Sequence, residues 1–132
     1  MTGEKDLDKL LRTMKPQLHP GDYVFCLVED LDTVPLAEVA LMFREQEGIT
    51  VIISRELADR AGLSYSFVAA WITLTVHSSL EAVGLTAAFS KALAENDISC
   101  NVVAAFYHDH LFVRQQDSEK AMEVLNGLSV SK

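Results

Sequence analysis

The sequence predicts an α+β protein of two similar repeats, each an antiparallel sheet with helices on one face, the two packed as one body. Three observations carry this reading. Runs in which apolar residues alternate with polar ones are interleaved with stretches that are apolar at i, i+3 and i+4, so strands and helices take turns along the chain. A hairpin followed by a helix recurs in the same order in each half. The 132 residues are 49% apolar and 23% charged, the composition of a packed domain rather than a disordered tail.

Residues 6–14 place Leu7, Leu10, Leu11 and Met14 on one helical face, and Lys15-Pro16 ends that helix. His19-Pro20-Gly21-Asp22 reads as a turn. In the strand that follows, up to Glu29, Tyr23, Phe25 and Leu27 share one face and Val24, Cys26 and Val28 the other. After the loop Asp30–Pro35, two β-rich runs, Glu38–Arg44 and Ile49–Ser54, flank Glu45-Gln46-Glu47-Gly48, the spacing of a hairpin. Ser54 suits the N-cap of a helix that Gly62 stops.

In the second half, Phe67–His77 is a strand with Val68, Ala70, Ile72, Leu74 and Val76 on one face and Trp71, Thr73 and Thr75 on the other. Ser78-Ser79-Leu80-Glu81 reads as a capping box for a helix over 79–96 that buries Leu85, Ala88, Phe89, Ala92 and Leu93. Cys100–Phe106 and Leu111–Gln115 form a second hairpin around Tyr107–His110, and Asp117 caps a last helix ending near Asn126-Gly127. Glu38–Phe43 lies over Asn101–Phe106 at an offset of 63 residues. The repeats are therefore 1–64, which has only a loop where the other has its long helix, and 65–132.

The net charge of −8 comes with no basic patch, which argues against nucleic acid or an anionic membrane as partner. The apolar run Phe67–Val76 is too short to span a bilayer, and the N-terminal residues have no hydrophobic signal core, so a cytoplasmic location is expected. Cys26 and Cys100 sit in strand-like runs without metal-ligand spacing and read as buried free thiols. No nucleophile elbow, phosphate-cradling loop or zinc-binding helix motif is present, and no cofactor is expected.

The stretch from Ser79 to Ile98 resembles the signature of ACT domains: Gly84-Leu85 opens the first helix, Ala92-Leu93-Ala94 closes it, and Asp97-Ile98 leads into the next strand. The phrases Trp71–Gly84, Phe43–Thr50 and Phe106–Val113 resemble small stand-alone bacterial proteins with tandem ACT-like domains, related to CASTOR-type amino-acid sensors. The likeness covers residues 7–128. It implies ferredoxin-like βαββα units and a regulatory protein that binds a free amino acid or similar metabolite. Val83 stands where many ACT domains carry proline, and no enzymatic domain accompanies the repeats, which leaves the regulated protein partner open.

Under this resemblance the turn His77, Ser78, Ser79, Leu80, Val83 and Gly84 is the first candidate ligand site. A helix N-terminus offers unpaired amides to a carboxylate, although Ser78 and Glu81 are also suited to capping. Asn101, at a strand start, is either a ligand contact or a solvated edge amide. Glu45 and Glu47, beside Gly48 and Ile49, suit an ammonium group if the repeats pack side by side; otherwise they form a solvated hairpin tip. The mixed face of Trp71, Thr73 and Thr75 calls for a cover, and a homodimer would supply it. The competing readings are a metal-dependent or small-metabolite enzyme centred on His77, His108 and His110, against which Asp109 reads as a turn residue that breaks the strand alternation, or a structural dimerisation module.

Overall fold

The computed structural model describes residues 6–76 and 83–130. In chain order they form α1 (Leu7–Thr13), β1 (Pro16–Leu18), β2 (Tyr23–Val28), β3 (Leu41–Arg44), β4 (Ile49–Ser54), α2 (Arg55–Ala61), β5 (Val68–Leu74), α3 (Leu85–Ala94), β6 (Asn101–Ala104), β7 (Asp109–Arg114) and α4 (Ser118–Val130). Among the described residues no helix is long and apolar enough to cross a membrane. The chain gathers into two compact units, Pro20–Ala69 on one hand and the residues up to His19 with those from Ala70 onward on the other.

The units do not follow chain order. The sequence reading groups residues up to 19 with the first repeat, yet α1 and β1 fold with the C-terminal one. Leu10, Leu11 and Met14 are buried in one core with Leu85, Phe89, Leu93 and Leu125. Pro16, expected only to end the helix, opens β1, which pairs antiparallel with β5 from Pro16 opposite Leu74 to Leu18 opposite Ile72. Proline is tolerated as the first residue of a strand.

In the Pro20–Ala69 unit, β4 lies between β3 and β2, all antiparallel, and β2 also pairs with Val68 and Ala69 at the start of β5. Val24, Cys26 and Val28 turn inward, the alternation read from the sequence, to meet Val51, Ile53, Leu57 and Ala58. The Ser54 hydroxyl accepts the Leu57 amide, and Gly62 ends α2 in the left-handed region, as expected. Where the other repeat has its long helix, this unit has two short 3-10 turns, Leu31–Thr33 and Leu36–Glu38, so β3 begins at Leu41 rather than residue 38.

The C-terminal repeat runs β5-α3-β6-β7-α4, the expected βαββα order, with its helices and α1 packed over Ala70, Ile72, Leu74, Leu111 and Val113. Leu85, Phe89 and Leu93 are the buried stripe of α3, whereas Ala88 and Ala92 are only half-buried. Asp117 does not cap α4 as expected; it lies in a 3-10 turn and accepts the Arg114 Nε–H at 3.0 Å. Nor does α4 stop at Gly127. Leu125 and Leu128 pack into the core, and Ser129 donates to the Met14 carbonyl at 2.7 Å, which outweighs the weak helical preference of one glycine.

The offset of 63 residues is also corrected. The two hairpins align at an offset of 60, Ile49 on Asp109 and Ser54 on Arg114. Their returning strands share an inward pattern, with positions one, three, four and five buried in each. Phe43 and Phe106 match in letters but not in place: Phe43 pairs with Thr50 in β3, while Phe106 lies in the turn closed by the Ala105 N–H donating to the His108 carbonyl.

Truncating the fully buried ring in Phe89→Ala should cost about 3–5 kcal/mol, and Ser54→Ala about 1 kcal/mol through loss of the cap. Urea denaturation with an unchanged m-value checks both.

Candidate functional site

The strands of the C-terminal unit present two chemically different faces. Ala70, Ile72 and Leu74 of β5 and Leu111 and Val113 of β7 enter the helix-covered core. The alternate residues Trp71, Thr73, His110 and Phe112 take the other face, where His19, just past β1, joins them. The His19 ring stacks on Trp71 at 3.7 Å between centroids and 12° between planes. Its Nε2 lies 2.7 Å from the Thr73 hydroxyl, which lies 3.0 Å from His110 Nδ1. The Trp71 indole N–H donates to the same His110 Nδ1 at 3.1 Å, and Phe112 stacks on Trp71 at 6.0 Å. Thr73 is only 6% exposed, so its hydroxyl depends on these imidazoles for hydrogen bonds. Burial lowers the pKa of both histidines below the ordinary imidazole value, and the charges of His108 and His19 lower that of His110 further.

This network accounts for the face that the sequence reading assigns to a partner's cover, and it brings in His19, read there only as part of a turn. The long separation of His19 from Trp71 and His110 hides the grouping; the signal is a histidine next to a strand that pairs with a Trp-x-Thr strand. Thr75 stands apart, donating to the Lys15 carbonyl at 2.7 Å.

The histidines of the metal reading do not converge. His108 closes the hairpin turn with Nδ1 3.3 Å from the Val76 carbonyl, whereas His110 belongs to the Trp71 network. His77 lies outside the described residues. Among the described residues no three His, Cys, Asp or Glu side chains gather to hold a metal ion. Asp109 is not a turn residue but the first of β7, opposite Ala104 and 8% exposed, in the place Ile49 occupies in the other repeat. Burial raises the pKa of its carboxyl, while the charge of His108 lowers it.

Of the residues expected to bind ligand, His77, Ser78, Ser79 and Leu80 lie outside the described residues, as does Glu81 of the capping box. Helix α3 begins at Leu85 with Gly84 at its N-cap, not at residue 79. Gly84 has φ +102 and, among the described residues, no side chain caps the helix; a Cβ there would meet Leu7 Cδ2 at 3.1 Å. Val83 is 84% exposed. Asn101 opens β6, and its side-chain amide donates across the hairpin to the Phe112 carbonyl at 3.2 Å. Glu45, Glu47, Gly48 and Ile49 belong to the Pro20–Ala69 unit, where Glu45 and Gly48 close the turn by exchanging backbone hydrogen bonds. The Glu45 carboxylate accepts the Thr50 hydroxyl and Glu47 is exposed. Ile49 is 8% exposed and part of the core, so its side chain serves packing.

The same unit carries a cleft of about 510 Å³ lined by Pro20–Tyr23, Ser54–Glu56 and Asp59, which the sequence reading missed. Arg55 crosses it, 3.5 Å from Asp22 and donating to the Tyr65 hydroxyl at 3.0 Å, while that hydroxyl donates to Asp59 at 2.7 Å. The turn at Gly21 and the cap at Ser54 are each legible in the letters; their meeting rests on the Arg55 amide donating to the Asp22 carbonyl.

Neither cysteine has the surroundings of a nucleophile. Cys26 is buried and its pKa is raised by burial, and the half-buried Cys100 thiol is pushed up to about 11.

Family models described as ACT domain match residues 2–70 and residues 66–127. A crystal structure of a Vibrio cholerae protein of unknown function, described as a possible transport protein, is 46% identical, with 95% of this chain and 97% of that chain covered at a TM-score of 0.81. The regulatory subunit of aspartate kinase from Thermus thermophilus, in its ligand-free form, is similar at 11% identity, 89% and 97% coverage and a TM-score of 0.64. E. coli aspartokinase III, in complex with aspartate and ADP, is similar at 14% identity, 86% and 32% coverage and a TM-score of 0.59. The two kinase likenesses speak to the fold alone. No curated protein sequence matches the chain. The two ACT-domain matches support a small-molecule-binding regulatory role.

Two outcomes follow from this geometry. Thr73→Val should destabilise by about 1–3 kcal/mol, because the imidazoles lose the hydroxyl between them, while Thr73→Ser should retain most of that stability; chemical denaturation compares them. Native protein at about pH 8 should resist iodoacetamide at both thiols and react fully once unfolded, as mass spectrometry would record.

Proposed function

We propose that this chain, which belongs to the ACT-domain family, is a non-enzymatic sensor that binds a free amino acid or a similar small metabolite and passes that occupancy to a partner protein. The observation that carries the reading is the N-terminus of α3. Gly84 sits there in a backbone conformation that side chains rarely adopt, packed against Leu7, and among the described residues no side chain caps the first-turn amides. Such an end favours a carboxylate, both through its unpaired N–H groups and through the helix dipole. Asn101, the first residue of β6, is the proposed second contact, and the segment His77–Leu80 with Val83 the proposed lip of the site.

The proposal includes homodimers, whose assembly gives binding a way to be expressed. A ligand shifts an assembly equilibrium only by its preference for one state.

A thermal-shift screen of the purified protein against the twenty amino acids tests the reading. A ligand present at 100 times its dissociation constant should stabilise by about 2.7 kcal/mol and raise the midpoint by several degrees. One or two amino acids acting in this way, with light scattering at the mass of a dimer, support the proposal. A flat response to all twenty overturns the amino-acid ligand.

A further inference from the structure

The His110–Trp71 contact works in one protonation state only. An indole N–H can donate but not accept, so the 3.1 Å contact makes His110 Nδ1 the acceptor and puts the proton of the neutral ring on Nε2. Nδ1 is then the atom that takes up the next proton. Once protonated, it opposes one N–H to another across that distance, while the Thr73 hydroxyl, which both donates and accepts, reverses to take the new N–H. His19 behaves differently. Its Nε2 faces a hydroxyl that either donates or accepts, and a cationic ring stacked on an indole is favourable, so its protonation leaves the network intact.

The position of this contact gives it consequence. The chain passes between its two compact units at two places, His19 to Pro20 and Ala69 to Ala70. Both passages adjoin the network, since His19 is a member and Trp71 follows Ala70. The His19 amide also donates to the Trp71 carbonyl at 2.9 Å, which fastens the end of β1 to β5.

We propose that His19, Trp71, Thr73 and His110 form a proton-operated latch, closed while His110 is neutral and opened when a solvent proton binds His110 Nδ1, which parts the Trp71 indole of β5 from His110 of β7. The proton forms an N–H bond at the ring lone pair, which ends the hydrogen bond from the indole N–H and turns the Thr73 hydroxyl from donor to acceptor; no other covalent bond changes. The groups around His110 agree with a neutral resting state. His19 comes from the end of β1 and His108 from the hairpin turn, both repelling a cation, while Thr73 and Trp71 of β5 are uncharged and Val103 of β6 lies opposite in register. Asp109, its neighbour in β7, alternates to the opposite face. The folded protein thus holds His110 below its ordinary value of 6.5, so the unfolded chain takes up its proton first. The contribution of His110 to stability is complete above about pH 6.5 and declines as the pH falls toward the lowered folded value.

Trp71 is the single tryptophan of the chain, so its fluorescence reads the latch directly. Emission should change as the pH falls below about 6.5 while far-UV circular dichroism stays constant. His110→Asn places an amide oxygen where Nδ1 stands and cannot titrate, so it should keep the neutral-pH spectrum and abolish the transition. His19→Gln and His108→Asn should shift the transition without removing it. Survival of the transition in His110→Asn overturns the proposal. So does constant wild-type emission, or a fluorescence change that accompanies loss of the far-UV signal. The wild-type measurements decide the matter even where a variant does not fold.

Discussion

Strand β5 makes two incompatible demands, and the C-terminal unit is organised around meeting both. Ala70, Ile72 and Leu74 must leave water on one face, and α1, α3 and α4 bring Leu10, Phe89, Leu93 and Leu125 to cover them. On the other face Thr73 is equally sheltered but carries a hydroxyl, and Trp71 carries an N–H. A buried donor without a partner costs about 1–3 kcal/mol, so polar partners must come from the neighbouring strands. β1 delivers His19 on one side and β7 delivers His110 on the other. The edge strand β1 and the position of the β7 hairpin are thereby tied to the same hydroxyl.

The two repeats solve one architecture with different parts. Their hairpins share a register and an inward pattern, yet Ile49 is exchanged for Asp109 and two 3-10 turns stand where α3 would be. Without that helix, the Pro20–Ala69 unit relies on a smaller core of Val24, Cys26, Val51, Ile53 and Leu57. Its charged side chains gather instead at the cleft bridged by Arg55, where Asp22, Tyr65 and Asp59 form one hydrogen-bonded and ionic series. These contacts are largely exposed and shape the surface more than they stabilise the fold.

The N-terminus of α3, which no described side chain caps, and the histidine network are separate resources. One offers backbone amides to an anion; the other is a set of groups whose bonds depend on a single proton. They differ in physical origin, backbone geometry in the first case and side-chain tautomer in the second, so each can change while the other is retained.

The sequence by itself determined what depends on short-range periodicity and local backbone preference. The face of β2, the strand Ile49–Ser54, the Ser54 cap and the left-handed stop at Gly62 all follow from residues within one turn or one strand of each other. Gly84 was legible as a special position, through its Gly-Leu context. What the tertiary structure decided depends on residues far apart in the chain. Nothing near Pro16 announces that it opens a strand beside Leu74, and nothing near Gly127 announces that Ser129 reaches Met14 and carries the helix past it. Asp109 carries the composition of a turn residue and became a strand residue because the hairpin closes between Ala105 and His108. His19 and His110 meet only because separate strands place them on either side of Thr73, and pairing between distant strands is set by the packing of the whole sheet rather than by any local run of letters.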